Sequence, residues 1–323
     1  MKQKFYLFFL SNRDYYSIIC RDLQSINNCF LCKDDFFPEL HNPVKNFVRR
    51  CHVSKKLRSF VILPFQDIWY PKIPDIPPEK DIVAVFYQSF AGAEDPVYKE
   101  YLQNRYHVKK FVFILTNPLT KFDCKLPHFV LKKYFDLVLS DDMNDCKNYG
   151  FTYWEDNYSK TDFSENDIVK SDVFFVGANK GRLPVLHKIY KRLSDSGLLC
   201  DFTITEVDDD DDRIFPGIHY NVSMPYREVQ RRVCGCDTIL EVVQSNQVGL
   251  TLRTQEALSY GKKLLTNNNF LLKKPYYTPD NIQIFSDPEQ INLQWLLKRR
   301  SANYRNKPDF SALNLLNFLD SNL

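Results

Sequence analysis

The stretch from Asp237 to Asn268 decides the fold, and it reads DTILEVVQSNQVGLTLRTQEALSYGKKLLTNN. The short, β-branched run from Thr238 to Val243 predicts a strand that is covered on both faces, as in a parallel sheet. After a polar turn, the residues from Leu250 to Leu258 return with helical spacing. Gly261 predicts the end of that helix, and Leu264 to Thr266 then predicts a second strand. Strand, loop, helix and strand together indicate a parallel α/β unit.

The loop between this strand and helix has the chemistry of an anion site. A glycine permits close backbone approach, two hydroxyls and a cation lie at or near the first helical turn, and a carboxylate follows one turn later. A helix N-terminus equipped in this way favours bound anions, because its free amides and its dipole both point at the ligand. The candidate binding residues here are Gly249, Leu250, Thr251, Arg253, Thr254 and Glu256.

A second loop of similar type precedes it in the chain. The apolar run from Val173 to Val176 predicts a strand, and an amphipathic helix is predicted from Leu183 to Ser196. In an open α/β sheet both loops would face one crevice, which favours a two-phosphate ligand; the alternative for this loop is an ordinary surface turn. The absence of G-x-G-x-x-G and G-x-x-x-x-G-K-[ST] patterns argues against NAD-type and P-loop sites. Its candidate residues are Gly177, Asn179, Lys180 and Arg182.

Length and composition indicate a globular chain with more than one core. The 323 residues exceed what one hydrophobic core usually serves, and 44% of them are hydrophobic. We predict an N-terminal domain over residues 1–160, a second α/β domain over 161–300, and a C-terminal helix over 301–323 that packs back on the N-terminal domain. The formal net charge of +3 does not argue for a nucleic-acid partner, and none is predicted.

Strand-like runs separated by helix-length segments make the first half α/β as well. The chain turns polar and acidic from Tyr153 to Ile168, where we place the domain boundary. The tail pairs an amphipathic segment, Leu313 to Leu319, with the basic run Lys298 to Arg300, whose alternative role is contact with a membrane surface. The strand-like runs are Phe5 to Leu10, Phe60 to Pro64, Ile82 to Tyr87, Phe111 to Thr116 and Phe135 to Ser140.

Cysteines and acidic residues offer two candidate metal sites, and we interpret both without metal. The nine cysteines are odd in number and irregularly spaced, which indicates free thiols in a reducing cytoplasm; the pairs Cys29/Cys32 and Cys234/Cys236 leave a structural zinc as the alternative. The run Asp208 to Asp212 predicts a solvated loop, because adjacent carboxylates repel one another. No window of the sequence is long and apolar enough for a spanning helix.

Several segments of the chain resemble those of a known enzyme family. Val248-Gly249, followed by Glu256-Ala257 and Gly261, resembles the donor-binding segment of nucleotide-sugar glycosyltransferases with the GT-B fold. Phe175 to Arg182 is similar to the strand and loop that open the donor domain of those enzymes. More narrowly, two stretches resemble bacterial capsular polysaccharide and lipooligosaccharide biosynthesis proteins: Gln244 to Thr254 with Gly261 to Leu264, and Phe135 to Gly150.

The resemblance implies two Rossmann-like domains that face a cleft. It implies that Glu256 bonds the ribose hydroxyls of the donor and that Gly249, Leu250 and Thr251 hold its diphosphate, with Arg253 and Thr254 as further contacts. Val248 stands where many retaining members have a glutamate, so both stereochemical outcomes stay open.

Such a transferase needs neither a metal nor a cofactor beyond its donor substrate if helix dipoles and cations neutralise the leaving diphosphate. An inverting reaction requires a base from the first domain, for which we consider Asp67, Glu94 and Asp95 and place Asp95 and Asp67 first. The alternative for each is a plain loop carboxylate, or a helix cap in the case of Asp95. For Asp141, Asp142 and Asp145 we expect helix initiation.

We therefore expect a cytoplasmic glycosyltransferase, or one peripheral at the inner face of the membrane. It would move a sugar from a nucleoside diphosphate sugar to a surface polysaccharide, lipooligosaccharide or lipid-linked glycan. The alternatives are a non-catalytic nucleotide-sugar-binding protein of a polysaccharide assembly complex and a sugar-nucleotide epimerase of the same fold.

Overall fold

The computed structural model describes residues 3–10, 14–33, 43–44, 47, 70–71, 73–77, 79–88, 90, 92–121, 128–208, 213–244 and 249–323. The chain divides into two compact units. One contains Met1–Asn157 together with Phe310–Leu323, and the other contains Tyr158–Asp309. Each unit contains one six-stranded, all-parallel sheet with helices in the connections. The predicted α/β class, with two Rossmann-like domains, is confirmed.

In the first unit the strands follow the order β2-β1-β3-β4-β5-β6. Their inward residues are nearly all apolar, since parallel strands are covered on both faces. Aromatic rings dominate the core: Phe9 stacks on Phe86 with ring centroids 4.7 Å apart, and Phe113 stacks on Phe135 at 4.8 Å. The strands are β1 Lys4–Leu10, β2 Cys29–Lys33, β3 Asp81–Tyr87, β4 Val108–Leu115, β5 Leu137–Ser140 and β6 Thr152–Tyr153, and the helices are α1 Asp14–Ile19, α2 Pro96–Tyr106, α3 His128–Tyr134 and α4 Met143–Tyr149.

Helix α4 shows how local chemistry sets the elements of this unit. The Asp142 carboxylate accepts from the amides of Asn144 and Asp145 at 2.8 and 3.0 Å, and Gly150 ends the helix in the left-handed region. Helix initiation by Asp142 is thereby confirmed. Asp145 acts differently, because its carboxylate accepts from the amide of Leu119 at 2.9 Å and ties the helix to the loop after β4.

In the second unit the sheet order is β12-β11-β10-β7-β8-β9. Numbered within the unit this is 6-5-4-1-2-3, the doubly wound arrangement, and the order of connection reverses between β7 and β10. The strands are β7 Ser171–Ala178, β8 Cys200–Thr205, β9 Ile218–Tyr220, β10 Cys236–Glu241, β11 Lys263–Thr266 and β12 Ile282–Ile284, and the helices are α5 Leu183–Asp195, α6 Tyr226–Gly235, α7 Leu252–Tyr260 and α8 Leu293–Leu297.

Several predicted boundaries shift by a few residues. The strand predicted from Thr238 to Val243 is β10, which begins at Cys236 because that residue pairs with Ser171 of β7. The strand predicted from Phe135 begins only at Leu137, since Asp136 turns its carboxylate back to the amide of Phe111 at 2.8 Å. The predicted strand Phe60 to Pro64 and Asp209 to Asp212 lie outside the described residues.

The last helix, α9 at Ala312–Asn322, belongs to the first unit although it lies at the end of the chain. The Tyr6 hydroxyl donates to Asp320 at 2.6 Å, and the Phe318 ring packs on Trp154 with centroids 4.5 Å apart. In the part of the chain that the structure describes, no helix has the length and apolar character needed to span a membrane.

Candidate functional site

The two predicted loops follow adjacent strands at the point where the sheet order of the second unit reverses. One follows β7 and leads into α5, and the other follows β10 and leads into α7. Because the strands are parallel, their carboxyl ends open at the same edge of the sheet. Ligands of doubly wound sheets bind at this position.

In the first loop, one side chain caps the helix and one residue turns the backbone. The Asn179 side-chain oxygen accepts from the Leu183 amide at 2.9 Å, at the N-terminus of α5. Lys180 adopts a left-handed conformation with φ of 45° and is exposed, and its carbonyl accepts from Gln244 at 3.4 Å. Gly177 lies within β7, where an added Cβ would stand 3.3 Å from the Arg182 guanidinium. The loop is therefore fitted closely around Arg182.

Arg182 connects the two strand ends. Its guanidinium donates to the carbonyls of Ala178, at the end of β7, and of Val242, just beyond β10, and its Nε donates to the Asn179 carbonyl at 3.3 Å. Burial lowers the pKa of Arg182, and the carboxylates of Glu206 and Glu241 oppose that shift. The Arg182 guanidinium thus donates its hydrogen bonds to backbone carbonyls. Its positive charge lies at the edge of the sheet where the two loops begin.

The second loop is organised by Glu241, which was missing from the predicted site. This buried carboxylate ends β10 and accepts from the hydroxyls of Thr251, Thr254 and Thr266; the Thr254 bond measures 2.7 Å. Thr251 also caps α7, since its hydroxyl accepts from the Thr254 amide at 3.3 Å. One carboxylate therefore joins β10, the first turn of α7 and the end of β11. The available signal was the single charged residue in the apolar run TILEVV.

Asparagines after β11 complete this loop from its other side. The Asn268 side chain donates to the Gly249 carbonyl at 3.0 Å, and the Asn268 amide donates to the Thr266 hydroxyl at 2.9 Å. Asn267 accepts from the Val243 amide at 2.6 Å. Leu250 is buried beneath the loop. The backbone from Gly249 into α7 is thus held in place by protein contacts.

Glu256 is fully buried, with 0% exposure. Its Oε1 accepts from the Tyr226 hydroxyl at 2.7 Å, and its Oε2 accepts from the Arg253 guanidinium. Burial raises the pKa of Glu256, while the Arg253 charge and the Tyr226 hydrogen bond act in the opposite direction. Arg253 retains 17% side-chain exposure, so its remaining donors are closer to solvent than the carboxylate is.

A polar network continues from Glu256 to the first residues of the second unit. The Tyr226 and Tyr158 hydroxyl oxygens lie 3.4 Å apart, and the Gln230 amide donates to the Tyr158 hydroxyl at 2.9 Å. The Thr161 hydroxyl donates to Gln230 at 2.7 Å. All of these partners lie more than 25 residues before Glu256 in the chain, so the local pattern held no signal for them.

Of the two predicted catalytic carboxylates, the structure describes one, Asp95, which belongs to the first unit. Asp95 is buried and caps α2, accepting from the Val97 amide at 3.0 Å, as in the alternative considered for it. Asp67 and Val248 lie outside the described residues. A further acid of the first unit is Asp156, and its burial raises its pKa to about 7. The pKa of Asp141 is also raised, first by burial and then by the Asp156 charge.

Within the described ranges, no group of three or more His, Cys, Asp or Glu side chains is placed to hold a metal ion. Seven cysteines fall in these ranges, and all are free thiols. Cys29 and Cys32 lie in β2, whereas Cys234 lies in the last turn of α6 and Cys236 opens β10.

Comparison with known proteins identifies the fold. No protein-family model matches the chain, and the search of curated proteins found no match. Among solved structures, the chain is similar to a putative UDP-N-acetylglucosamine 2-epimerase from Listeria monocytogenes, with a TM-score of 0.54, 9% identity, and coverage of 98% of this chain and 96% of that chain. The fold is GT-B-like.

Two further structures are similar at lower scores. A UDP-GlcNAc 2-epimerase from Neisseria meningitidis bound to UDP-GlcNAc has a TM-score of 0.47 and 10% identity, and the match covers 98% of this chain and 99% of that chain. A sucrose-phosphate synthase from Thermosynechococcus elongatus also has a TM-score of 0.47, with 7% identity and coverage of 89% and 87%.

The second unit of this GT-B-like chain offers an anion two kinds of donor. The N-termini of α5 and α7 supply backbone amides and positive dipole ends. Lys180 and Arg253 add cations at the same two loops, and Arg182 adds charge between them. The arrangement can hold a ligand with two linked anionic groups.

Proposed function

We propose that the chain is a glycosyltransferase that takes a sugar from a nucleoside diphosphate donor. The acceptor we propose is a surface polysaccharide, a lipooligosaccharide or a lipid-linked glycan. One observation carries the proposal: two polar, cation-bearing loops stand side by side at the carboxyl ends of β7 and β10, where the sheet order reverses. The spacing from Gly249 to Glu256 and Gly261, which resembles a donor-binding segment, supports it.

The diphosphate is assigned to the two loops. Amides of the first turns of α5 and α7 donate to the phosphate oxygens, and Lys180 and Arg253 balance their charge. During transfer the sugar leaves the diphosphate, and negative charge grows on the departing oxygen. Fixed dipoles and cations that are in place beforehand stabilise this charge without a metal.

The ribose is assigned to Glu256, following the resemblance. The two carboxylate oxygens accept from Tyr226 and Arg253, and the side chain is fully buried. Because of this burial, ribose binding requires Arg253 to turn from Oε2 toward the phosphates, which opens that oxygen to a ribose hydroxyl. Tyr226 keeps Oε1 in place during the exchange. Asp95 and Asp67 stay the proposed bases for an inverting reaction, and Asp95 would have to leave its cap on Val97.

A sugar-nucleotide epimerase is the second candidate. It would use the same nucleotide loops, and the similar structure from Listeria monocytogenes is described as a putative UDP-N-acetylglucosamine 2-epimerase. The two candidates differ in whether an acceptor is needed. An epimerase interconverts the donor alone, whereas a transferase releases nucleoside diphosphate as it glycosylates the acceptor.

A thermal-shift panel tests the nucleotide site. UDP, GDP, CDP and their sugars are added to wild type, to Glu256→Ala and to Glu289→Ala, a matched change at an exposed carboxylate of the same unit. We expect at least one nucleotide to raise the Tm of wild type and of Glu289→Ala but not of Glu256→Ala. Equal stabilisation in all three proteins would remove Glu256 from the ribose role.

Turnover of the stabilising donor then separates the functions. Transfer to a glycan acceptor, with release of nucleoside diphosphate, supports the transferase. Interconversion without an acceptor supports the epimerase. Tight nucleotide binding with no turnover on any acceptor would contradict both and favour a non-catalytic binding protein.

A further inference from the structure

A second charged cavity lies in the first unit, far from the loops in sequence. It is formed between α2 and α3 at the amino ends of β4 and β5, the edge opposite to the one at which their carboxyl ends open, and its volume is about 400 Å³. Four lysines and three aromatic residues are among the residues that line it: Lys99, Lys109, Lys132, Lys133, Phe111, Tyr134 and Phe135.

Lys99 is built into this cavity. Its ammonium donates to the Tyr134 carbonyl and lies over two rings, 4.5 Å from the Phe111 centroid and 4.3 Å from the Tyr134 centroid. Ring faces and a carbonyl are electron-rich and fix the ammonium in place. Burial lowers the pKa of Lys99, opposed by the Asp136 charge, so its ammonium is incompletely solvated.

The nearby carboxylates are already engaged. Asp136, which also lines the cavity, pairs with Lys110 at 2.9 Å through Oδ1 and accepts from the Phe111 amide at 2.8 Å through Oδ2. Asp81 pairs with Lys109 at 2.6 Å. Four lysines thus share the cavity with one carboxylate that is bound to other groups.

Lys132 and Lys133 occupy the last turn of α3 and also line the cavity. Lys132 is positioned against Gly150, because a Cβ at that glycine would stand 2.8 Å from its Nζ. Gly150 ends α4, where cations are favoured by the negative end of the helix dipole. Rings and a carbonyl therefore fix Lys99, and Lys132 lies at a helix end, while Lys109 and Lys133 line the same cavity as exposed side chains.

We propose that this cavity binds the phosphate group of a phosphate ester. A phosphate offers several acceptor oxygens and up to two negative charges, which suits a cavity lined by four ammonium groups. The volume fits a head group of that size, and the site uses no residue of the proposed donor loops. This phosphate site is additional to the proposed glycosyl transfer, and each of the two proposals can be refuted without the other. The phosphate can come from a soluble ester or from a lipid head group.

Site-resolved lysine labelling tests this on the full chain. Acetylation of each lysine is measured by peptide mass spectrometry with and without inorganic pyrophosphate, and with sodium chloride at equal ionic strength to control for screening. We expect pyrophosphate to slow labelling of Lys109, Lys132 and Lys133 several-fold, while the exposed Lys170 of the second unit is unchanged. A parallel arm uses vesicles with and without phosphatidic acid.

The variant Lys132→Ala/Lys133→Ala tests the role of these two lysines, and Lys170→Ala is its matched control. Removing two charged donors should weaken the protection of Lys109 by at least about tenfold in pyrophosphate concentration. Protection by pyrophosphate identifies a soluble ester, and protection by phosphatidic-acid vesicles alone identifies a lipid head group. No protection in either arm, or equal protection by chloride, overturns the proposal. Protection of Lys180 without these lysines would support the donor site and refute this one.

Discussion

Removing the Glu241 carboxylate should release the second loop and destabilise the second unit. The side chain is buried and accepts from three threonine hydroxyls, two at the start of α7 and one at the end of β11. A hydrogen bond to a charged group contributes about 1.5–3 kcal/mol, and the desolvation of the carboxylate offsets part of the sum. For Glu241→Ala, which leaves the hydroxyls without their acceptor, we expect a loss of about 3–5 kcal/mol in the free energy of unfolding.

The conservative variant refines the expectation. In Glu241→Gln the amide oxygen can still accept from Thr251 and Thr254, while the NH₂ group must face the Thr266 hydroxyl. We expect a loss of about 1–2 kcal/mol for this change. Glu289→Ala is the matched control, because its carboxylate is 79% exposed and pairs with Arg192 at the surface. Such pairs contribute about 0–1 kcal/mol.

Urea denaturation of the full chain measures these differences. Hydrogen–deuterium exchange of peptides from β10 and α7 assigns the transition to the second unit, since the two units need not unfold together. Nucleotide-induced stabilisation should also fall in these variants, by less in Glu241→Gln than in Glu241→Ala. A Glu241→Ala protein no less stable than Glu289→Ala would refute the view that this carboxylate holds the loop.

Three other predictions concern single contacts. Tyr226→Phe removes the 2.7 Å bond to Glu256 and should cost about 1–2 kcal/mol in urea denaturation; an unchanged midpoint would contradict it. Burial raises the pKa of Asp156 from 3.8 to about 7, so the folded state holds this proton more tightly and stability falls as pH rises from about 4 to 7. Relative to wild type, Asp156→Asn should therefore gain up to about 4 kcal/mol across that window, and a pH-independent difference would refute the assignment. Gly261→Ala, at φ of 63° and with its Cβ 3.0 Å from the Ala302 carbonyl, should cost about 1–2 kcal/mol, whereas a neutral result would show that the turn adapts.

The second unit was the more predictable because its signals are local. Strand β7, the loop to α5 and the end of α7 at Gly261 each depend on residues within a few positions of one another. Their hydrophobic period and glycine placement are therefore visible in the sequence. Short strands such as β2 and β12 were not predicted, since a three- to five-residue strand is defined by the neighbour it pairs with.

The interior of the site was less predictable for the same reason. The Glu241 carboxylate accepts a hydrogen bond from the hydroxyl of Thr266, 25 residues later. The Glu256 carboxylate accepts one from the hydroxyl of Tyr226, 30 residues earlier. Which carboxylate is exposed and which is enclosed depends on such distant partners. The local pattern marked Glu256 as a ligand contact and passed over Glu241, and only the three-dimensional arrangement shows that both are enclosed.

Hydrogen–deuterium exchange with and without a stabilising nucleoside diphosphate tests the central claim most directly. Bound diphosphate should slow exchange in the first turns of α5 and α7, because their amides would donate to phosphate oxygens. We predict protection in peptides that cover Gly177–Leu183 and Gly249–Glu256, with β8, β9 and β12 unchanged. Binding without protection at these two loops, or protection confined to the first unit, would contradict the assignment of the donor site.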